Sequence, residues 1–150
     1  MIINDEGLGI IKKWEGCSLV PYLDPIGIPT IGVGSIWSFD GGRVTMDHRQ
    51  ITKAEADGLL KKQLGRTQGF IDRLVSVPVN ENQFSALCSL ISNIGSGNFQ
   101  ASSLRAKLNR LDYWGASNEF WKWRRAGGRI LRGLVLRRKD ETELFVKEIL

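Results

Sequence analysis

The sequence is poor in cysteine, proline and histidine, and each scarcity excludes something. Its two cysteines, Cys17 and Cys88, form neither a disulfide framework nor a metal-ligand spacing. Cys88 sits in an apolar helical pattern and reads as a small core residue, and nothing in its setting assigns Cys17 a redox role. The lone histidine, His48, lies in "TMDHRQITK" before a helical pattern and reads as a loop or capping-region residue, neither ligand nor base. No apolar run approaches the ~20 residues of a membrane span. The N-terminus "MIINDEGLGIIKK" carries acids early and lacks the apolar stretch of a signal peptide, so synthesis in a reducing cytosol without export is the expectation. Acids are also missing from one stretch: Lys122 to Lys139 holds eight Lys or Arg and no Asp or Glu.

What is present fits one soluble domain of ordinary make-up. The 150 residues are 42% hydrophobic and 25% charged, with a formal net charge of +5. A chain of that length buries roughly two-thirds of its unfolded surface and needs no metal or disulfide to be stable. The positive excess suits a polyanionic partner, whether nucleic acid, membrane surface or cell-wall polymer.

Residues 4–14 read as a first helix capped by Asn4 or Asp5, with Gly16 just past its end. From Ser18 to about Met46 the pattern turns to strands. "TIGVGS" alternates, placing Ile31 and Val33 on one face and Thr30, Gly32 and Gly34 on the other. "DPIGIP" and "FDGGR" are turn signals, and together they predict a sheet of two or three antiparallel strands. Thr52 with Glu55 forms a capping box opening a long helix over about 52–75, and Asn80 with Gln83 opens another. Phe84, Leu87, Cys88, Ile91 and Ile94 then make a core stripe. Further helices are expected at about 102–112, 116–125 and 134–148, broken at Gly115 and Gly127–Gly128. A short sheet followed by many helices argues an α+β fold.

Three of the four prolines fall between Trp14 and Ser35, in "WEGCSLVPYLDPIGIPTIGVGS", beside the isolated carboxylates Glu15 and Asp24. Glu15 falls in the last turn of the first helix. The negative end of the helix dipole and the flanking Trp14 would both favour its protonated form, as a general acid requires. Asp24 precedes Pro25 at a turn, and Thr30 lies on a strand. Alone, each has a plain reading: solvated helix end, turn former, β-branched strand residue. Together, two carboxylates in different environments and a hydroxyl supply what glycoside hydrolysis needs. Gly32 and Gly34 would leave a bare strip on which a sugar chain could approach the backbone.

At these residues the chain resembles the phage-type lysozymes, the muramidase endolysins of tailed bacteriophages. The spacing Glu15-x8-Asp24-x5-Thr30, with "YLD" before the turn and "TIGVG" after it, is similar to that family's catalytic segment. "NENQFSALCSLISNIG" resembles its central helix and "GGRILRGLVLRRKDETELF" its C-terminal stretch. The resemblance implies hydrolysis of the β-1,4 bond between N-acetylmuramic acid and N-acetylglucosamine in peptidoglycan, leading to lysis of the host cell. It makes Glu15 the acid, and has Asp24 and Thr30 position and activate water on the opposite face of the sugar, with inversion. It implies a lysozyme-like single catalytic domain over 1–150: a small lobe at about 15–50, a connecting helix at about 52–75, and a helical lobe at about 78–150 joined by the N-terminal helix, with the cleft between. The chain departs from the family at Ser35, where histidine is usual and is credited with holding the hairpin through a charged pair.

Gly32, Ser35 and Trp37 are the substrate-binding candidates, whereas Trp114, Trp121 and Trp123 are expected in the core. No metal or cofactor is expected. The expected partners are peptidoglycan and a holin-type pore protein that lets a cytoplasmic monomer reach the periplasmic wall; stable membrane insertion and nucleic-acid binding are not expected. The basic segment is read as a solvated helix face or as a surface drawn to anionic wall or membrane. The alternatives are a lytic transglycosylase acting on the same bond, a basic nucleic-acid-binding module without catalytic need for the Glu15–Asp24–Thr30 spacing, and a wall-binding protein with a dead site.

Overall fold

The computed structural model describes residues 1–149. Its order of elements is α1 (Asp5–Glu15), β1 (Ser18–Leu23), β2 (Pro29–Gly32), α2 (Lys53–Gln63), α3 (Gly65–Leu74), α4 (Glu81–Ile94), α5 (Ser96–Gln100), α6 (Ser103–Asn109), α7 (Tyr113–Ser117), a 3-10 turn (Phe120–Lys122), β3 (Arg125–Ala126), β4 (Arg129–Ile130) and α8 (Arg132–Val146). The fold is α+β, as the order of patterns indicates. The chain divides into two compact units, residues 11–65, and residues 1–10 with 66–150.

In the 11–65 unit, α1 ends where the sequence tells it to. Lys12 and Lys13 oppose the negative end of the helix dipole. Gly16 donates its amide to Lys12 O at 2.9 Å and takes φ +82°, a conformation that costs glycine nothing. β1 and β2 then form an antiparallel hairpin in which Ser18 faces Gly32, Tyr22 faces Thr30 and Leu23 faces Pro29. The register slips between Ser18 and Tyr22. Pro21 sits inside that irregular stretch, where a missing N–H costs the ladder least. Behind the hairpin, Ile31, Val44, Ile51, Ala56 and Leu59 form a small core with Leu19 packed against it. The stretch "VTM" adds no third strand: Arg43 makes only an isolated bridge to Trp37. α2 opens on the expected box, Thr52 Oγ1 accepting the Glu55 amide and Glu55 accepting that of Thr52. The helix expected to run from 52 to 75 is two helices, interrupted at Leu64.

In the other unit, α4 is the central element. Asn80 and Gln83 exchange capping bonds at 2.8 and 2.9 Å, and ten consecutive residues from Asn82 to Ile91 are buried. The start of α1 packs tightly here: a Cβ on Gly7 would fall 2.7 Å from that of Ser85. The expected helix over 116–125 is replaced by α7 and the 3-10 turn. Gly115 does not break a helix but sits inside α7. Asp112 caps α7 by accepting the Gly115 amide at 2.8 Å, and its carboxylate occupies the space a Cβ at Gly115 would need. Gly127 and Gly128, both at positive φ, form the turn of the β3–β4 hairpin, which the sequence pattern does not announce.

Candidate active site

All three proposed catalytic side chains lie in the 11–65 unit, on consecutive pieces of chain. Glu15 is the last residue of α1 and is exposed. Beside it, Trp14 is half-buried and carries the Lys13 ammonium over its ring at 4.9 Å. One turn earlier, Lys12 Nζ meets Asp57 Oδ1 at 2.7 Å, tying the last turns of α1 to α2. Nothing in the sequence pattern marks that pair, because its partners are 45 residues apart.

Asp24 begins the hairpin turn. Its amide donates to Ile28 O at 3.0 Å and its carbonyl accepts from Gly27 at 2.9 Å. Its Oδ1 accepts the amides of Ile26 and Ile28, both at 2.9 Å. Oδ1 is thus committed to the backbone of the turn, and Oδ2 makes no hydrogen bond to another described residue. Thr30 is buried, 2% exposed, and its hydroxyl donates to Ile28 O at 2.8 Å. That bond fixes the direction of the hydroxyl proton and leaves the oxygen's lone pairs to accept.

The substrate-binding candidates fare differently from expectation. Gly32 and Gly34 have φ of +66° and +74°, so the bare extended strip does not form. They shape a tight turn, closed by reciprocal 2.9 Å bonds between Ile31 and Ser35. Ser35 is buried; its hydroxyl donates to Trp37 O at 2.6 Å and accepts the Trp37 amide at 3.2 Å. From α2, Gln63 Nε2 donates to Val33 O at 3.3 Å. Neutral hydrogen bonds therefore hold this turn. Trp37 is half exposed, with the Arg43 guanidinium 5.3 Å from its ring centre. Ser35 and Trp37 line one cavity of about 410 Å³ together with Ser38, Leu59, Lys62 and Gln63. In the adjoining loop, the Ser38 hydroxyl and the Gly42 amide hold the Asp40 carboxyl below its usual range.

Elsewhere, two further expectations change and one holds. Trp114 and Trp121 are more than half exposed, not core, and Trp123 is half-buried. Cys88 is fully buried, as its place in the α4 stripe requires. Arg137 and Arg138, read as part of a solvated basic face, are buried with Glu141.

A small hairpin sheet followed by helices is the architecture of a lysozyme-type glycoside hydrolase, and the helix-end glutamate, the hairpin aspartate with one uncommitted oxygen and the buried threonine hydroxyl are its candidate catalytic groups. The chain belongs to the phage lysozyme family, which it matches over residues 12–141. It is 40% identical over 146 residues to the endolysin of Salmonella phage P22, covering 97% of this chain and 99% of that one. It is 37% identical over 130 residues to the SAR-endolysin of Enterobacteria phage P21, covering 87% of this chain and 76% of that protein. A crystal structure of a P22 lysozyme mutant superposes with a TM-score of 0.89 at 39% identity, covering 97% of this chain and 99% of the other.

Proposed function

We propose that this chain is an endolysin that cleaves the β-1,4 bond between N-acetylmuramic acid and N-acetylglucosamine, with the whole chain acting as one catalytic domain in host-cell lysis. Membership of the phage lysozyme family and similarity to an endolysin over nearly the whole chain support this reading. Glu15 protonates the leaving glycosidic oxygen. Asp24 Oδ2 takes a proton from the attacking water while Thr30 Oγ1 accepts a hydrogen bond from that water, orienting it on the far face of the sugar. Water attack on that face inverts the anomeric carbon and calls for carboxyl groups some 6.5–9.5 Å apart. Gly32, Ser35 and Trp37 are proposed to contact the sugar chain through the backbone of the tight turn and the exposed indole.

The observation that supports this reading best is the division of labour in Asp24. An aspartate kept only to form the turn would need no second oxygen. A lytic transglycosylase, which uses the sugar's own hydroxyl in place of water, would need neither Asp24 Oδ2 nor Thr30. Product analysis of digested peptidoglycan tests the proposal. Reducing muramic ends formed first as the inverted anomer support it, and anhydro-muramic ends refute it.

The enzyme is further proposed to act as a monomer that collects in the host cytoplasm and reaches the wall through a holin-type pore. No helix among the described residues is long and apolar enough to cross a membrane. Expression with and without a pore former tests this route: lysis only with the pore is expected, and lysis without it contradicts the requirement.

A further inference from the structure

The basic segment 122–139 is not used by the chemistry above, and the structure sorts its eight cations. Arg137 and Arg138 are buried against Glu141, and Lys122 pairs with the buried Glu119. Arg124 stacks on Trp121 at 4.7 Å. Arg125, Arg129, Arg132 and Lys139 are exposed, and none has a carboxylate partner among the described residues. Interleaved with them are large apolar side chains open to water: Trp121, Ile130, Leu131 and Val135 are 39% to 51% exposed.

These residues share one region of the 66–150 part of the chain. The β3–β4 hairpin sets Arg125 opposite Ile130 and Ala126 opposite Arg129. Its next rung, Leu131 N to Arg124 O at 3.0 Å, leads directly into α8. A cavity of about 270 Å³ is lined by Trp121 and Arg124 from before the hairpin and by Val135 and Lys139 from α8, with Glu143 the one carboxylate in its wall among the described residues. A hairpin and a helix start therefore present guanidinium groups and aliphatic side chains together.

We infer that this face docks on the surface of an anionic lipid bilayer. Unpaired guanidinium groups suit lipid phosphates, and long basic side chains can reach head groups while apolar neighbours enter the acyl boundary. Nucleic acid and glycan strands would satisfy the charges but offer nothing to Ile130, Leu131 and Val135. The docking is peripheral, since no helix among the described residues can span a membrane.

Co-sedimentation of the full chain with vesicles tests this, comparing an equimolar phosphatidylethanolamine–phosphatidylglycerol mixture with pure phosphatidylcholine. Binding to the anionic vesicles alone is expected, weakening as salt rises. Each Arg removed should lower partitioning about fivefold, so Arg125→Gln/Arg129→Gln/Arg132→Gln together should lower it about 100-fold. Ile130→Ser/Leu131→Ser should also lower it, by about tenfold or more. All five positions are exposed, and unchanged circular dichroism and unchanged hydrolysis of bare peptidoglycan check that both variants are folded. Absence of binding to anionic vesicles overturns the inference. Binding that ignores Ile130→Ser/Leu131→Ser overturns it too, as does tighter binding to duplex DNA than to the vesicles.

Discussion

Asp24 and Thr30 hold the same residue from its two ends: Asp24 Oδ1 accepts the Ile28 amide at 2.9 Å, and Thr30 Oγ1 donates to the Ile28 carbonyl at 2.8 Å. The carboxylate and the hydroxyl are thereby referenced to one piece of backbone. A hairpin built this way fixes the two groups relative to each other without a direct bond between them.

Asp24→Asn separates the turn-forming job of that carboxyl from its proposed catalytic one. The amide oxygen can still accept from Ile26 and Ile28, so the hairpin should survive, with Tm lowered by less than about 3 °C. Hydrolysis of bare peptidoglycan should fall about 100-fold or more, because the proposed base is gone. Asp24→Ala should lose both stability and activity. Thermal melts and turnover rates measured side by side check this.

Acid stability should report on Glu55. The Arg49 guanidinium beside it, and then the Thr52 amide, bring its pKa down from 4.5 to about 2. A depressed carboxyl stabilises the fold above its unfolded value, and that contribution fades as pH falls from about 4.5 toward 2. Glu55→Gln should therefore melt below wild type at neutral pH and converge with it near pH 2, in melts followed by circular dichroism.

The two thiols should differ in reactivity. Burial pushes the Cys88 thiol up to about 12, whereas Cys17 is exposed. Native protein should show one fast-reacting thiol with a disulfide reagent, and unfolded protein two. Cys17→Ser should leave the native protein with none.

Breaking the buried cluster in α8 should cost much more than a surface change. Glu141 is fully buried, with Arg138 Nε 2.6 Å from Oε1, Arg137 Nε 3.3 Å from Oε2 and the Ser89 hydroxyl donating to Oε2. Glu141→Ala removes the buried carboxylate that both guanidinium groups share and should destabilise by about 3–5 kcal/mol in denaturant titrations.

Local signals carried most of the fold. Capping boxes at Thr52 and Asn80 and the α4 stripe locate their helices because those bonds form within one turn of chain. The proposed catalytic residues are close in sequence because Glu15 ends α1 and Asp24 and Thr30 lie in the hairpin that follows, all within residues 11–65. Features that depend on distant partners were not. Arg137 and Arg138 look like a solvated run until α4 brings Ser89 and Asn93 to them. Gly115 looks like a break until Asp112 folds under it. Gly32 and Gly34 look like strand residues because alternation reveals nothing about the sign of φ. The exposure of Trp114 and Trp121 likewise depends on which face the short helices turn inward, and segments of five and three residues carry too little periodicity to show it.

The assignment of Glu15 as the proton donor is tested most directly by the activity of Glu15→Gln on bare peptidoglycan. Glu15 is exposed at a helix end, so the substitution should leave the circular dichroism spectrum unchanged and the protein folded at the assay temperature. Hydrolysis should fall about 100-fold or more. A folded Glu15→Gln protein with wild-type activity would contradict the account.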